Sequence, residues 1–167
     1  MATPTTLPAT FVAGDVLTAA QMNNLRGAFR ILQVINATVG TQAISSSATY
    51  ADTGLTASIT PSATSSKVLI LVQQNGVLKN TGAAGNACSL RLVRGSTTIN
   101  EILEIGKTNT DLLNIIGSVP FIYLDNPATT SSTTYKTQFA SHLGGTNGAY
   151  VQYLSQTSSI TLFEVSL

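Results

Sequence analysis

Charge is scarce in this 167-residue chain: charged residues make up 9%, against about a quarter in an ordinary globular domain. The eight Lys and Arg are scattered and the formal net charge is +1, so the clustered basic surface that a phosphate backbone requires is missing. A nucleic-acid partner is therefore not expected. Arg26 and Arg30 stand one helical turn apart, which reads as a solvated helix face. Tryptophan is absent and histidine occurs once, as His142. The one cysteine, Cys88, excludes an internal disulfide framework and sits in an alternating segment, as a small buried hydrophobe would. No apolar run is long enough for a transmembrane helix, so membrane insertion is not expected. The first ten residues have neither a basic start nor an apolar stretch, which argues against a secretory signal.

What the chain does have is apolar and hydroxyl side chains. Hydrophobic residues make up 43%, and Ser and Thr together about a quarter. That composition suits one β domain with a neutral, hydroxyl-rich surface, and oligomerisation would hide part of a surface so poor in charge.

Two parts are expected, residues 1–30 and residues 31–167. Residues 1 to about 16 form an extended arm in which Pro4 and Pro8 oppose any helix. Phe11 and Val12 are its bulky anchor. A short helix follows, with Thr18 as N-cap, Gln21 completing a capping box, and Leu17 and Met22 spaced as a hydrophobic staple. Met22, Leu25, Phe29 and Leu32 step by three, four and three, an a/d seam of less than two heptads. Gly27 costs such a helix about 1 kcal/mol relative to Ala, so it must pack on something. Three supports stay open: its own domain, a symmetry axis, or a groove on another protein.

From Ile31 the period becomes that of strands. Expected strands cover residues 31–37, 50–59, 67–73, 88–94, 97–105, 118–124, 133–141, 149–154 and 159–167, with no helix between them. The run Val68-Leu69-Ile70-Leu71-Val72 reads as a strand buried on both faces. Asn75-Gly76 reads as a turn or bulge, and residues 112–116 as a further apolar patch. The fold class is mostly β, an antiparallel β-sandwich or jelly-roll-like head preceded by an extended arm and one short α-helix. Loops 79–87, 106–111, 125–132 and 143–148 are the expected recognition surface.

Reactive chemistry is not evident. His142 lies beside a loop without a GxSxG elbow, so it reads as a strand-end histidine. Glu101 and Glu104, the closest acidic pair, have the odd spacing that places strand residues on opposite faces. HExxH, CxxC and EF-hand patterns are absent, and Gly82-Ala-Ala-Gly85 matches no phosphate-binding loop. No catalytic residue, metal or cofactor is expected. The tyrosines Tyr123, Tyr135, Tyr150 and Tyr153 fall in expected strands and read as packing residues.

Three segments carry a resemblance. Residues 10–29, TFVAGDVLTAAQMNNLRGAF, resemble the N-terminal attachment segment of tailed-bacteriophage virion proteins, fibre proteins above all. Residues 49–72, TYADTGLTASITPSATSSKVLILV, are similar to a β domain of phage tail-fibre or particle proteins, and the ending SSITLFEVSL is like the last strand of such domains. The resemblance implies a virion structural protein and not an enzyme. It implies a short homotrimeric fibre or tip on the particle surface, anchored through residues 1–30 to other virion proteins of tail, baseplate or capsid. A capsid decoration or head-fibre protein is the alternative, and a polysaccharide-degrading enzyme a more distant one. The head would project outward, with host-surface glycan as its candidate partner. The attachment or assembly residues would be Phe11, Val12, Leu17, Met22, Leu25 and Phe29.

Overall fold

The computed structural model describes residues 31–80, 84–144 and 148–166. The expected arm and helix, with Phe11, Val12, Leu17, Met22, Leu25 and Phe29, lie outside the described residues, as do parts of the two Gly-rich loops. The described residues form ten strands: β1 (Ile31–Val39), β2 (Ala43–Ser45), β3 (Ala51–Ile59), β4 (Lys67–Lys79), β5 (Cys88–Arg94), β6 (Thr97–Ile105), β7 (Asn114–Asp125), β8 (Thr133–Ser141), β9 (Ala149–Val151) and β10 (Ser158–Val165).

All pairings are antiparallel and build two sheets. One has the order β3-β8-β5-β6. In the other, β4 pairs β10 along one edge and β7 along the other, since Leu69 faces both Phe163 and Leu124. β1 flanks β10, giving β1-β10-β4-β7. The short β9 and β2 extend this sheet beyond the end of β10, where Leu78 pairs Tyr150. Leaving out those two short strands, the eight long ones alternate between sheets except at the β5–β6 hairpin. That order is the double Greek key of a jelly roll, so the mostly β, antiparallel part of the expected fold class holds for the described residues.

Alternation explains the core. Taking the β1-β10-β4-β7 sheet as the first and the β3-β8-β5-β6 sheet as the second, Val68, Ile70, Val72, Phe121, Ile160 and Leu162 point inward from the first, and Leu55, Ile59, Leu90, Leu92, Tyr135 and Phe139 from the second. Cys88 is fully buried among them, and burial pushes its thiol pKa up to about 12.

The structure departs from the expected strands at five points. β4 continues through Asn75-Gly76, which is a bulge and not a turn. Gly76 has φ +61, and a Cβ there would overlap the Gln152–Tyr153 backbone, so only glycine fits. The patch at 112–116 contributes the first residues of β7. Residues 149–154 make only a three-residue strand, because Gln152, Leu154 and Ser155 turn left-handed and form a 3-10 turn over the bulge. β2, three residues long, shows no usable period at all. The fifth departure bears on function: β4 is not buried on both faces. Val68, Ile70 and Val72 are buried, but Leu71 is 37% exposed and Leu69 only half-buried.

Candidate interaction surface

The outward face of the first sheet is apolar where solvent would favour polar residues. Backbone register lines up Val34, Phe163, Leu69 and Leu124 straight across β1, β10, β4 and β7. The next outward row is Asn36, Thr161, Leu71 and Ile122. Ile122 is 71% exposed and Leu124 58%. At the other edge Leu32 and Val34 are also exposed. These side chains form one stripe across the sheet, a feature that monomeric domains seldom leave bare. Farther along, the face turns polar through Gln73, which donates to Ser118 Oγ, and Thr38 and Ser159.

The outward face of the second sheet is built oppositely. Lys136 Nζ donates to Asp52 Oδ2 at 2.9 Å, and Gln138 Nε2 to Asp52 Oδ1 at 2.6 Å. Arg91 Nε donates to Gln138 Oε1 at 2.8 Å while its guanidinium lies 4.1 Å from the centre of the Tyr50 ring. Tyr50 Oη in turn donates to Glu101 Oε1 at 2.6 Å. Partial burial, and then the Glu101 carboxylate, push the Tyr50 phenol pKa up to about 12. Slight burial works against the Asp52 charge, but the donors from Gln138 and Lys136 outweigh it and hold the carboxyl below its ordinary value. Charges here are spent on one another.

Between the sheets runs a buried polar chain. Thr53 and Thr137 share a hydroxyl contact of 2.6 Å, Thr137 donates to Gln74 Oε1 at 2.9 Å, and Gln74 Nε2 donates to Ser158 Oγ at 3.0 Å. It joins β3 and β8 to β4 and β10 and fixes how the layers sit. Near the Ile31 end, Glu164 is buried and accepts from Gln33 Nε2, Ser62 N and Ser62 Oγ. Burial opposes its charge, yet those donors and Ser66 hold the pKa down at about 2. At the same end Asp125 accepts both from Arg94 and from the buried Tyr135 hydroxyl. Burial, and then that carboxylate, raise the Tyr135 pKa.

Three of the expected recognition loops meet at one end: Gly85 N donates to Thr108 O, His142 N to Ala87 O, and Asn80 N to Gly148 O. Loop 125–132 lies at the other end, beside the Gly95 turn, where Gly95 N donates to Thr134 O. A depression of about 330 Å³ there is lined by Arg94, Pro127 and several hydroxyls, but the Arg94 guanidinium is engaged by Asp125. His142 Nε2 lies 3.1 Å from Glu104, which also accepts from Lys107 at 2.7 Å. Glu101 faces Tyr50 instead, so the two glutamates share no site. Among the described residues no group of His, Cys, Asp and Glu is arranged to hold a metal ion, and no helix is long and apolar enough to cross a membrane. Tyr135 packs in the core, and Tyr150 and Tyr153 meet edge to face at 5.9 Å, with Tyr153 in the 3-10 turn rather than a strand.

No family model matches the sequence, and no curated protein matches it. Among solved structures the chain is similar to the infectious bursal disease virus VP2 subviral particle, with a TM-score of 0.46 and 15% identity over 82% of this chain and 32% of that one. It is also similar to a structure of the Gx strain of the same virus, with a TM-score of 0.40 and 12% identity over 79% of this chain and 32% of that one. The chain thus spans about a third of the length of either. Likeness of this degree carries no function across.

Proposed function

We propose that this chain is a non-enzymatic structural protein of a tailed-phage particle, a short homotrimeric fibre or tip. Residues 1–30 anchor it to other virion proteins, and the jelly-roll head projects from the particle surface. The observation that carries the assembly role is the apolar stripe Val34–Phe163–Leu69–Leu124, an outward row that a head working alone would expose to water at a cost. The phage setting rests on the resemblance of residues 10–29, 49–72 and 158–167. The middle segment has a role in the fold consistent with that resemblance: it forms β3, its corner and the start of β4. Within it Asp52 joins the polar face, Thr53 the buried chain, and Gly54 (φ +86) the bulge in β3.

Particle incorporation tests the reading. Deleting residues 1–30 should abolish incorporation while the head keeps its β circular dichroism; a folded head that still incorporates would refute the anchor. Release of reducing sugar from host polysaccharide by the purified chain would refute the non-enzymatic assignment.

A further inference from the structure

We propose that the depression at the Gly95 end of the sandwich is a binding site for a small hydroxylated carboxylate, gripped by the free edge of the Arg94 guanidinium. The site involves neither the apolar stripe nor residues 1–30, so it stands or falls apart from the assembly reading above.

Arg94 closes β5 and is aimed by groups that are themselves buried. Its Nη1 donates to both Asp125 oxygens at 2.9 Å and to Asn126 O at 3.1 Å, which spends both Nη1 hydrogens. Asp125 is 5% exposed and also accepts from the buried Tyr135 hydroxyl at 2.7 Å, so the carboxylate is held and the guanidinium plane with it. The other edge, Nε and Nη2, has no hydrogen-bond partner among the described residues, and 30% of the side chain is exposed. That edge presents the parallel pair of N–H groups that a carboxylate accepts with its two oxygens. Arg94 is the one charged residue lining the depression, because Asp125 lies behind it. Asp125 offsets part of the cation's charge, so the grip comes from directed hydrogen bonds and is weak.

The rest of the lining selects hydroxyl groups. Thr129 Oγ1 accepts from Ser131 N and keeps its own proton free, whereas Thr133 Oγ1 donates to Ser131 O and keeps its lone pairs free. Ser132 Oγ is exposed and has no partner among the described residues. Donors and acceptors side by side match a group that is both, as an alcohol is. A Cβ at Gly95 would meet nothing within 4 Å, so the mouth beside Arg94 is open. The volume of about 330 Å³ lies at the low end of small-molecule pockets, roughly 300–1,000 Å³, so the ligand is small. A neighbouring depression shares Thr134, but there Lys136 and Asp52 bind each other.

Ligand-observed saturation-transfer NMR on the full chain, with glucuronate and glucose as probes, tests this. Glucuronate should bind with a dissociation constant on the order of 1 mM, and glucose at least about tenfold more weakly. Arg94→Lys keeps a cation on Asp125 but removes the fork, and should weaken glucuronate at least about tenfold. Ser132→Tyr fills the depression without touching the ion pair and should weaken it as much. Circular dichroism checks that both variants stay folded. Glucose bound as tightly as glucuronate overturns the carboxylate assignment, and unchanged binding by a folded Arg94→Lys overturns the role of the fork. Glucuronate binding that is absent from the wild type, or unchanged in Ser132→Tyr, overturns the site.

Discussion

The two outward faces of this sandwich come from the same chain and the same strand period, yet they treat solvent in opposite ways. On the β3-β8-β5-β6 sheet, Lys136, Asp52, Gln138, Arg91, Tyr50 and Glu101 form an unbroken line of hydrogen bonds and a stacked cation. On the β1-β10-β4-β7 sheet the corresponding positions hold Val34, Phe163, Leu69 and Leu124. A chain with 9% charged residues has placed six of its polar and charged groups in one self-satisfied network. It has left the other face without that protection, and under the proposed assembly role the bare face is the one that meets protein.

The largest effect should come from charging the apolar face. Ile122→Asp with Leu124→Asp removes two side chains worth about 1.5–3 kcal/mol each when buried. Self-association should weaken at least about 100-fold by sedimentation, whereas two substitutions on a truly bare surface change stability by about 0.5 kcal/mol or less each.

Next comes the layer between the faces. Thr137→Val takes from Gln74 Oε1 its hydroxyl donor in the dry interior, while the Thr53 hydroxyl keeps Thr137 O and Leu55 N, a loss of about 1–3 kcal/mol in urea unfolding. Its effect should be on stability and not on sedimenting mass, which separates the glue between sheets from the stripe outside them.

Glu164 gives a pH-dependent effect. Its folded pKa of about 2 lies below the ordinary 4.5, so its contribution is present above pH 4.5 and is lost as pH falls toward 2. Glu164→Gln should lower stability at neutral pH and flatten the stability–pH slope between pH 4.5 and 2. The smallest effect belongs to the charged face: Asp52→Ala should cost about 0.2–1 kcal/mol, less in high salt, with no change of mass.

Much of the fold was legible because strand period and turn residues are local. β6 and β8 carry the bounds expected from sequence, and short strands spaced by turns pointed to an antiparallel sandwich or jelly roll, whose Greek-key order only the strand pairing shows. β2 and the left-handed turn at Gln152, Leu154 and Ser155 were not legible, since both depend on distant backbone such as the Gly76 bulge. The stripe was half legible. Its central run, residues 68–72, is visibly apolar, but periodicity cannot tell a strand buried in its own domain from one whose second face is kept for a partner. Only register across four strands shows that Leu69 and Leu71 belong to one outward-facing apolar track. The charged line was hidden for the same reason: Asp52, Arg91 and Lys136 are far apart in sequence and meet only through pairing of β3, β8 and β5.

One measurement tests the central claim most directly. Cys88 is fully buried, so a single added cysteine reports alone on its own surroundings. Thiol-labelling rates of Leu124→Cys and Ser58→Cys in the native full chain at micromolar concentration compare the two faces. The account predicts labelling at position 124 at least about tenfold slower than at 58, and a rise toward the rate at 58 on dilution below the association range. Equal rates at both positions under assembling conditions would contradict it.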